Sequence, residues 1–189
     1  GSSTIYASPD ARAMGGNGYS DGQWQLIDEQ AQKWAYILKD GNRAKSGWMY
    51  IYNPYSTDAQ KNGWFCFDDE GLMRVGWIAA ADGTWRFCQD MSDGNFGRMV
   101  RGWYQDPADR SWYYLEETTG IMQSGWAQIG GKWYYFATAS DAANQSWQYD
   151  EAAGKLVQTQ PGRRSYGAMY QNETTPDGYA VDENGAWVQ

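Results

Sequence analysis

Apolar positions along this chain are concentrated in short aromatic bursts, divided by polar stretches rich in Gly, Asp and Asn. A Gly-Trp pair opens most bursts, at Gly47-Trp48, Gly76-Trp77, Gly102-Trp103 and Gly125-Trp126, with Gln23-Trp24 as a degenerate first copy. A second Trp then heads an aromatic run: Trp34-Ala35-Tyr36, Trp64-Phe65-Cys66-Phe67, Trp85-Arg86-Phe87, Trp112-Tyr113-Tyr114 and Trp133-Tyr134-Tyr135-Phe136. Three units close with Gly-x-Met, at Gly71-Leu72-Met73, Gly97-Arg98-Met99 and Gly120-Ile121-Met122. Each of these Met residues lies four positions before the next Gly-Trp tryptophan, and Ala44 holds that place in the first unit. Self-similarity of this kind marks a repeat architecture.

The spacing between the two Trp positions predicts antiparallel hairpins of a single register. Gly130-Gly131 reads as a two-residue loop, and pairing outward from it sets Trp126 opposite Tyr135. A three-residue loop, Ala81-Asp82-Gly83, with Gly in the left-handed position, sets Trp77 opposite Phe87. A four-residue loop, Pro107-Ala108-Asp109-Arg110, begins with a Pro preset for a type I turn and sets Trp103 opposite Tyr114. A slip of one residue would turn every side chain of a strand to the other face, so agreement among three loops fixes the register.

Trp133 and Tyr135 share one face of their strand, Tyr134 and Phe136 the other, so both faces are apolar. One hairpin cannot bury two apolar faces, whereas hairpins stacked along an axis can. The pattern therefore predicts an all-β solenoid of stacked hairpins over residues 22–136. Residues 1–21 read as a linker or loose cap. Residues 137–189 read as degraded repeats and a C-terminal cap, with 137–144 helical or looped and Ser146-Trp147-Gln148-Tyr149 with Gly154-Lys155-Leu156 imitating one more hairpin.

Composition agrees with the pattern and narrows the chemistry. The 189 residues include 12 Trp, 15 Tyr, 5 Phe and 23 Gly but no His. Without His there is no Ser-His-Asp or Cys-His arrangement and no His-ligated zinc, and no catalytic carboxylate pair stands out. The neighbours Glu116-Glu117 point to opposite faces of a strand, and Asp68-Asp69-Glu70-Gly71 and Ser92-Asp93-Gly94-Asn95 are turn sequences without calcium-loop spacing. A net charge of -8 repels nucleic acid and anionic membranes and favours a cationic ligand. Mean hydropathy is -0.78 and no apolar run nears the roughly 20 residues of a membrane helix, so no membrane insertion is expected. Cys66 and Cys88 follow their unit Trp by two and three residues; this opposite parity predicts free buried thiols rather than a bridge.

The succession of Gly-Trp, Trp-Tyr-Tyr and Gly-x-Met over residues 22–136 resembles the choline-binding, or cell-wall-binding, repeats of Gram-positive surface proteins. The ending Thr174-Thr175-Pro176-Asp177-Gly178-Tyr179, with Asp182-Glu183-Asn184-Gly185-Ala186-Trp187, is similar to the terminal repeat of clostridial-type members. The resemblance implies a left-handed β-solenoid, outside the cell or on its wall, whose successive hairpins hold choline groups of teichoic acids in aromatic cages. It implies no cofactor and no metal. Carried onto this chain, it places one cage at Trp103, Trp112, Tyr114, Met122, Trp126, Trp133 and Tyr135, and another at Trp77, Trp85, Phe87, Met99 and Trp103. Cys66 stands where an aromatic is expected, Arg86 interrupts an aromatic run, Ala44 replaces Met, and inserts at 53–62 and 89–95 divide units, so only one or two cages are expected to be complete.

Three function classes follow: a wall anchor binding choline or a related amine, a carbohydrate binder, since rings also stack on sugars, and a stalk or adhesin without a small ligand. For any single ring, core packing is the commoner role. An enzyme is the weakest reading, and a catalytic domain is expected outside this segment.

Overall fold

The computed structural model describes residues 5–9, 16–108, 110–143, 147–152, 154–158 and 165–189. The fold is the all-β arrangement of stacked hairpins that the pattern predicts. Hairpins form from β1 (Gln23–Asp28) with β2 (Lys33–Ile37), β3 (Gly47–Tyr52) with β4 (Asn62–Phe67), and β5 (Gly76–Ala79) with β6 (Trp85–Cys88). Further along, β7 (Gly102–Gln105) pairs with β8 (Trp112–Leu115), and β9 (Gly125–Ile129) with β10 (Lys132–Phe136). After the short helix α1 (Ala139–Ala143) come β11 (Trp147–Asp150) with β12 (Lys155–Gln158), and β13 (Glu173–Thr174) with β14 (Ala180–Val181). The degraded hairpin expected near 146–156 is thus a real one, although Ser146 lies outside the described residues. Asn144 and Asp109, named above in a helix-or-loop segment and in a hairpin loop, lie outside them too.

The predicted register holds at β5–β6 and β9–β10, and the same offset recurs at β1–β2 and β3–β4. Trp126 faces Tyr135 and Trp77 faces Phe87, while Trp48 faces Cys66 and Trp24 faces Tyr36. Gly130 and Gly131 have φ of 58° and 83°, the pair of positive values that a type I′ loop requires. Helix α1 starts on a reciprocal cap, in which the Asp141 amide donates to Thr138 Oγ1 and the Thr138 amide to Asp141 Oδ2.

Contacts divide the described residues into two compact units, one running to Gly102 with Leu115–Ile121, the other made of Trp103–Tyr114 and Met122–Gln189. Within the first, consecutive residues of β4 serve different layers. Phe65 and Phe67 pack with Tyr36, Ala44, Met49, Ile51 and Met73, whereas Trp64 and Cys66 pack with Trp48, Tyr50, Ile78, Cys88 and Met99. The β3–β4 hairpin therefore buries one face on the hairpin before it and the other on the hairpin after. The same division recurs in the second unit, where Phe136 and Tyr134 lie in one cluster and Tyr135 and Ala137 in another.

Backbone hydrogen bonds join the layers. The amides of Met73, Met99, Met169 and Trp187 each donate at 2.8 Å to the carbonyl of a hairpin's second Trp, namely Trp34, Trp64, Trp112 and Trp133. The Gly-x-Met motif acquires a reason here. A Cβ added to Gly120 would sit 2.7 Å from Met99 Sδ, and Gly97, Gly167 and Gly185 are approached in the same way by Met73, Met122 and Met169. Only a residue without a side chain accepts the preceding methionine so closely.

Both cysteines are free and buried, but the parity argument that separated them is corrected. They lie in one cluster, because layers form between successive hairpins: the far face of one meets the near face of the next, and opposite parity brings residues together. Burial pushes the Cys66 thiol up to about 11 and the Cys88 thiol well above its ordinary value. The segments before β1 also pair: Tyr6 exchanges two 2.8 Å hydrogen bonds with Trp48, and Tyr19 accepts from Tyr52 and donates to Tyr50.

Candidate ligand-binding site

The far face of the β9–β10 hairpin carries Trp126 and Trp133, two residues apart in register, so both project to the same side. The terminal segment builds the opposite wall. Between β13 and β14 the chain turns at Pro176-Asp177-Gly178, closed by the Thr175 amide on the Tyr179 carbonyl at 2.8 Å. This turn presents Asp177 and Tyr179. Trp187 is placed by its own amide on the Trp133 carbonyl, and its ring lies 6.1 Å from that of Tyr179 in edge-on geometry. Trp126, Trp133, Asp177, Tyr179 and Trp187 line a cavity of about 330 Å³.

Rings that pack only as core are covered, whereas here Trp133 is 40%, Tyr179 49% and Trp187 36% exposed. Exposed apolar side chains are ordinarily scattered singly over a protein surface, whereas these rings are grouped around one cavity. Asp177 Oδ2 accepts the Trp126 indole N–H at 2.8 Å, and Oδ1 accepts the Thr175 hydroxyl. Those two hydrogen bonds, Thr175 first, hold the Asp177 carboxyl below its usual value, so it is ionised at neutral pH. Four aromatic rings and one anion suit a cation that lacks hydrogen-bond donors: ring faces supply the quadrupole, and the carboxylate adds charge.

A second cavity, of about 180 Å³, lies in the first unit between Trp24, Trp34, Phe65, Met73 and Phe96. Its rim comes from the two inserts, and Asn53 and Tyr55 from one meet Ser92 and Gly94 from the other. Asn53 Nδ2 donates to the Gly94 carbonyl at 3.2 Å and Ser56 Oγ to Asn95 Oδ1 at 2.6 Å, which fastens the inserts together. Segments that divide units in the sequence therefore close a pocket in space.

The residues grouped as one cage from the sequence fall in separate layers. Trp103, Trp112 and Tyr114 join Tyr134 and Phe136, the ring of Trp103 lying 5.0 Å from both Tyr114 and Tyr134. Trp126 and Trp133 belong to the next layer, where Trp126 meets Tyr135 at 5.2 Å and Tyr179 at 5.9 Å. Met122 is buried against Gly167 instead. In the other group Trp77 meets Phe87 at 5.0 Å and Trp85 is half-buried, while Met99 belongs to the Trp48 cluster. The reading overlooked Asp177, Tyr179 and Trp187 in one cavity and Trp24, Trp34, Phe65, Met73, Tyr55 and Phe96 in the other. One signal was available: Trp187 follows Gly185 by two, the place that Met has in earlier units.

Residues 124–138, which span β9, its loop and β10, match the family described as a putative cell wall binding repeat. No curated protein matches the chain. Among solved structures, choline binding protein F from Streptococcus pneumoniae, determined in the presence of a peptidoglycan analogue, is 32% identical with a TM-score of 0.57. That match covers 88% of this chain and 40% of that one. The same protein in complex with ipratropium matches at a TM-score of 0.59, 32% identity and 88% and 38% coverage. CbpJ from Streptococcus pneumoniae TIGR4 follows at 0.55 and 29% identity, covering 92% of this chain and 41% of that one. The chain thus spans about two fifths of the length of these proteins. Repeated Gly-Trp hairpins, the layered aromatic clusters and these likenesses converge: the chain belongs to the choline-binding, cell-wall-binding repeat family.

Proposed function

We propose that this chain is a non-catalytic module that attaches its parent protein to the cell wall by holding choline-class quaternary amines, as borne by teichoic acids, in aromatic cages. The observation that carries the reading is the cavity of Trp126, Trp133, Tyr179 and Trp187 with ionised Asp177 at its edge. The first-unit pocket supplies a second, smaller cage. Phe87 and Met99, 2% and 4% exposed, serve as packing, whereas Trp103 is 39% exposed and leaves part of its layer with Trp112 and Tyr114 in solvent. A single exposed cation–π contact contributes about 0.5–1 kcal/mol, so one ring cannot retain the ligand. Several rings with a carboxylate reach millimolar affinity, about -4 kcal/mol. The net charge of -8 draws a cation towards the module. Likeness to choline binding protein F supports the same ligand class. A sugar is less well served by the larger cavity, whose lining carries one carboxylate among four rings, because buried hydroxyls need several polar partners.

Titration with choline is expected to quench tryptophan fluorescence saturably in the millimolar range. Asp177→Asn keeps an acceptor for the Trp126 indole but removes the charge, worth about 1 kcal/mol in water-like surroundings, so affinity falls roughly fivefold. The response also weakens as the pH drops through the lowered value of the Asp177 carboxyl. Unchanged fluorescence with choline and a response to a glucan would replace the amine by carbohydrate. No response to either would leave a stalk or adhesin.

A further inference from the structure

The first unit repeats its own pocket one hairpin further along, with one exchange of residue type. In the first pocket Trp24 and Trp34 meet Phe65 and Met73, and the Met73 amide donates to the Trp34 carbonyl at 2.8 Å. The corresponding positions one repeat on are Trp48, Trp64, Arg86 and Met99, with the Met99 amide on the Trp64 carbonyl at 2.8 Å. Where the ring of Phe65 lies 4.9 Å from Trp24, the Arg86 guanidinium carbon lies 6.0 Å from the centroid of Trp48. In the second unit the same position is again a ring, Tyr134, 5.0 Å from Trp103.

Arg86 is only 6% exposed, a placement that a charge tolerates only with compensation. Its Nε donates to the Thr119 carbonyl at 2.8 Å, and the face of Trp48 supplies an aromatic surface. Thr119 is itself fixed, its amide and hydroxyl both donating to Glu116 Oε2. Tyr6 closes the layer from the other side, 5.5 Å from Trp64 and paired with Trp48. Trp48 and Trp64 are accordingly 5% and 2% exposed, whereas Trp24 and Trp34 are half-buried.

We infer that Arg86 is a built-in cation of the second cage: its guanidinium lies beside Trp48 where the first pocket has the ring of Phe65, supplies from within the charge that an open cage would take from outside, and so closes this repeat to quaternary amines. The inference rests on the cation-cage reading of the aromatic pockets. One residue thereby decides whether this repeat accepts ligand, and a cavity of about 340 Å³ bordered by Trp48, Cys66 and Arg86 adjoins the space that opens once the side chain is shortened.

The test follows the indole N–H signals of Trp48, Trp64 and Trp126 by NMR in the full chain during titration with tetramethylammonium chloride, against sodium chloride at equal concentration. In the wild type, Trp48 and Trp64 are expected to stay unmoved at concentrations that shift Trp126. In R86A they shift saturably, and tetramethylammonium raises the thermal midpoint more than it does in the wild type. R86Y, which restores the ring found at Phe65 and Tyr134, is expected to respond in the same way and is the second variant should R86A fold poorly. Movement of Trp48 and Trp64 in the wild type overturns the inference, as does a folded variant that gives no response. Failure of both variants to fold overturns it as well, because an occupant is replaceable. If Trp126 alone is silent, the proposed function fails while Trp48 and Trp64 still decide this inference.

Discussion

Methionine and glycine are matched residue by residue through this fold. Gly120 has φ of 73°, and the space where its Cβ would lie is taken by Met99. Gly120→Ala brings a left-handed conformation that costs about 1–2 kcal/mol and a contact that overpacks the layer by a further 1–3 kcal/mol. Denaturant unfolding should show a loss of at least about 2 kcal/mol, and a loss of only about 1 kcal/mol would mean that Met99 swings aside and leaves the backbone cost alone. Glu116 is a second case. Burial pushes its carboxyl up, but the hydroxyls and amides of Thr118 and Thr119 outweigh this and bring it down from 4.5 to about 2. Its folded value lies below the unfolded one, so its stabilisation is complete above pH 4.5 and fades as the pH falls towards about 2. Glu116→Gln is expected to lower the urea midpoint at pH 7 modestly, since the group is largely solvent-screened. The gap from wild type narrows below pH 4.5, and a gap that stays constant would refute the assignment.

At the level of the element, each hairpin is specified by its loop and its two apolar faces. The two-residue loop of β9–β10 needs positive φ at both Gly130 and Gly131. Gly130→Asn supplies a residue that tolerates this conformation, and stability should change by less than about 0.5 kcal/mol. Gly131→Val places a β-branched side chain there and should cost about 1–3 kcal/mol. Thermal melts of the two variants make the comparison, and equal losses would mean that the loop does not hold the register. Ligand binding should suffer with Gly131→Val, since Trp126 and Trp133 keep their common face only while that register lasts.

Across the whole molecule, ligand and stability are linked. A ligand that binds only the folded cage stabilises it by about 1.4 kcal/mol at ten times its Kd, a rise of roughly 3–6 °C for a chain of this size. Choline at tens of millimolar should therefore raise the thermal midpoint, and Trp133→Ala should abolish most of that rise. An equal rise with sodium chloride would assign it to ionic strength rather than to the cage. Membership of a cell-wall-binding family implies surface association, and among the described residues no helix is long and apolar enough to cross a membrane.

The sequence alone determined the hairpins and their register, because both rest on local rules: strand side chains alternate, and loop length decides which residues face each other. It also determined that both faces had to be buried, from Trp133-Tyr134-Tyr135-Phe136. Which faces meet was left to the tertiary structure. Trp126 and Trp133 leave the company of Trp103 because they project from the far side of their hairpin, and their partners Tyr179 and Trp187 come from over 40 residues further on. Cys66 and Cys88 meet for the same reason, since stacking joins opposite parities of successive hairpins. Arg86 reads in the sequence as a gap in an aromatic run, and only the layer that encloses it turns that gap into a cation beside Trp48. Local periodicity fixes where a side chain points, while the distance between residues remote in sequence is set only when the layers close and exclude water.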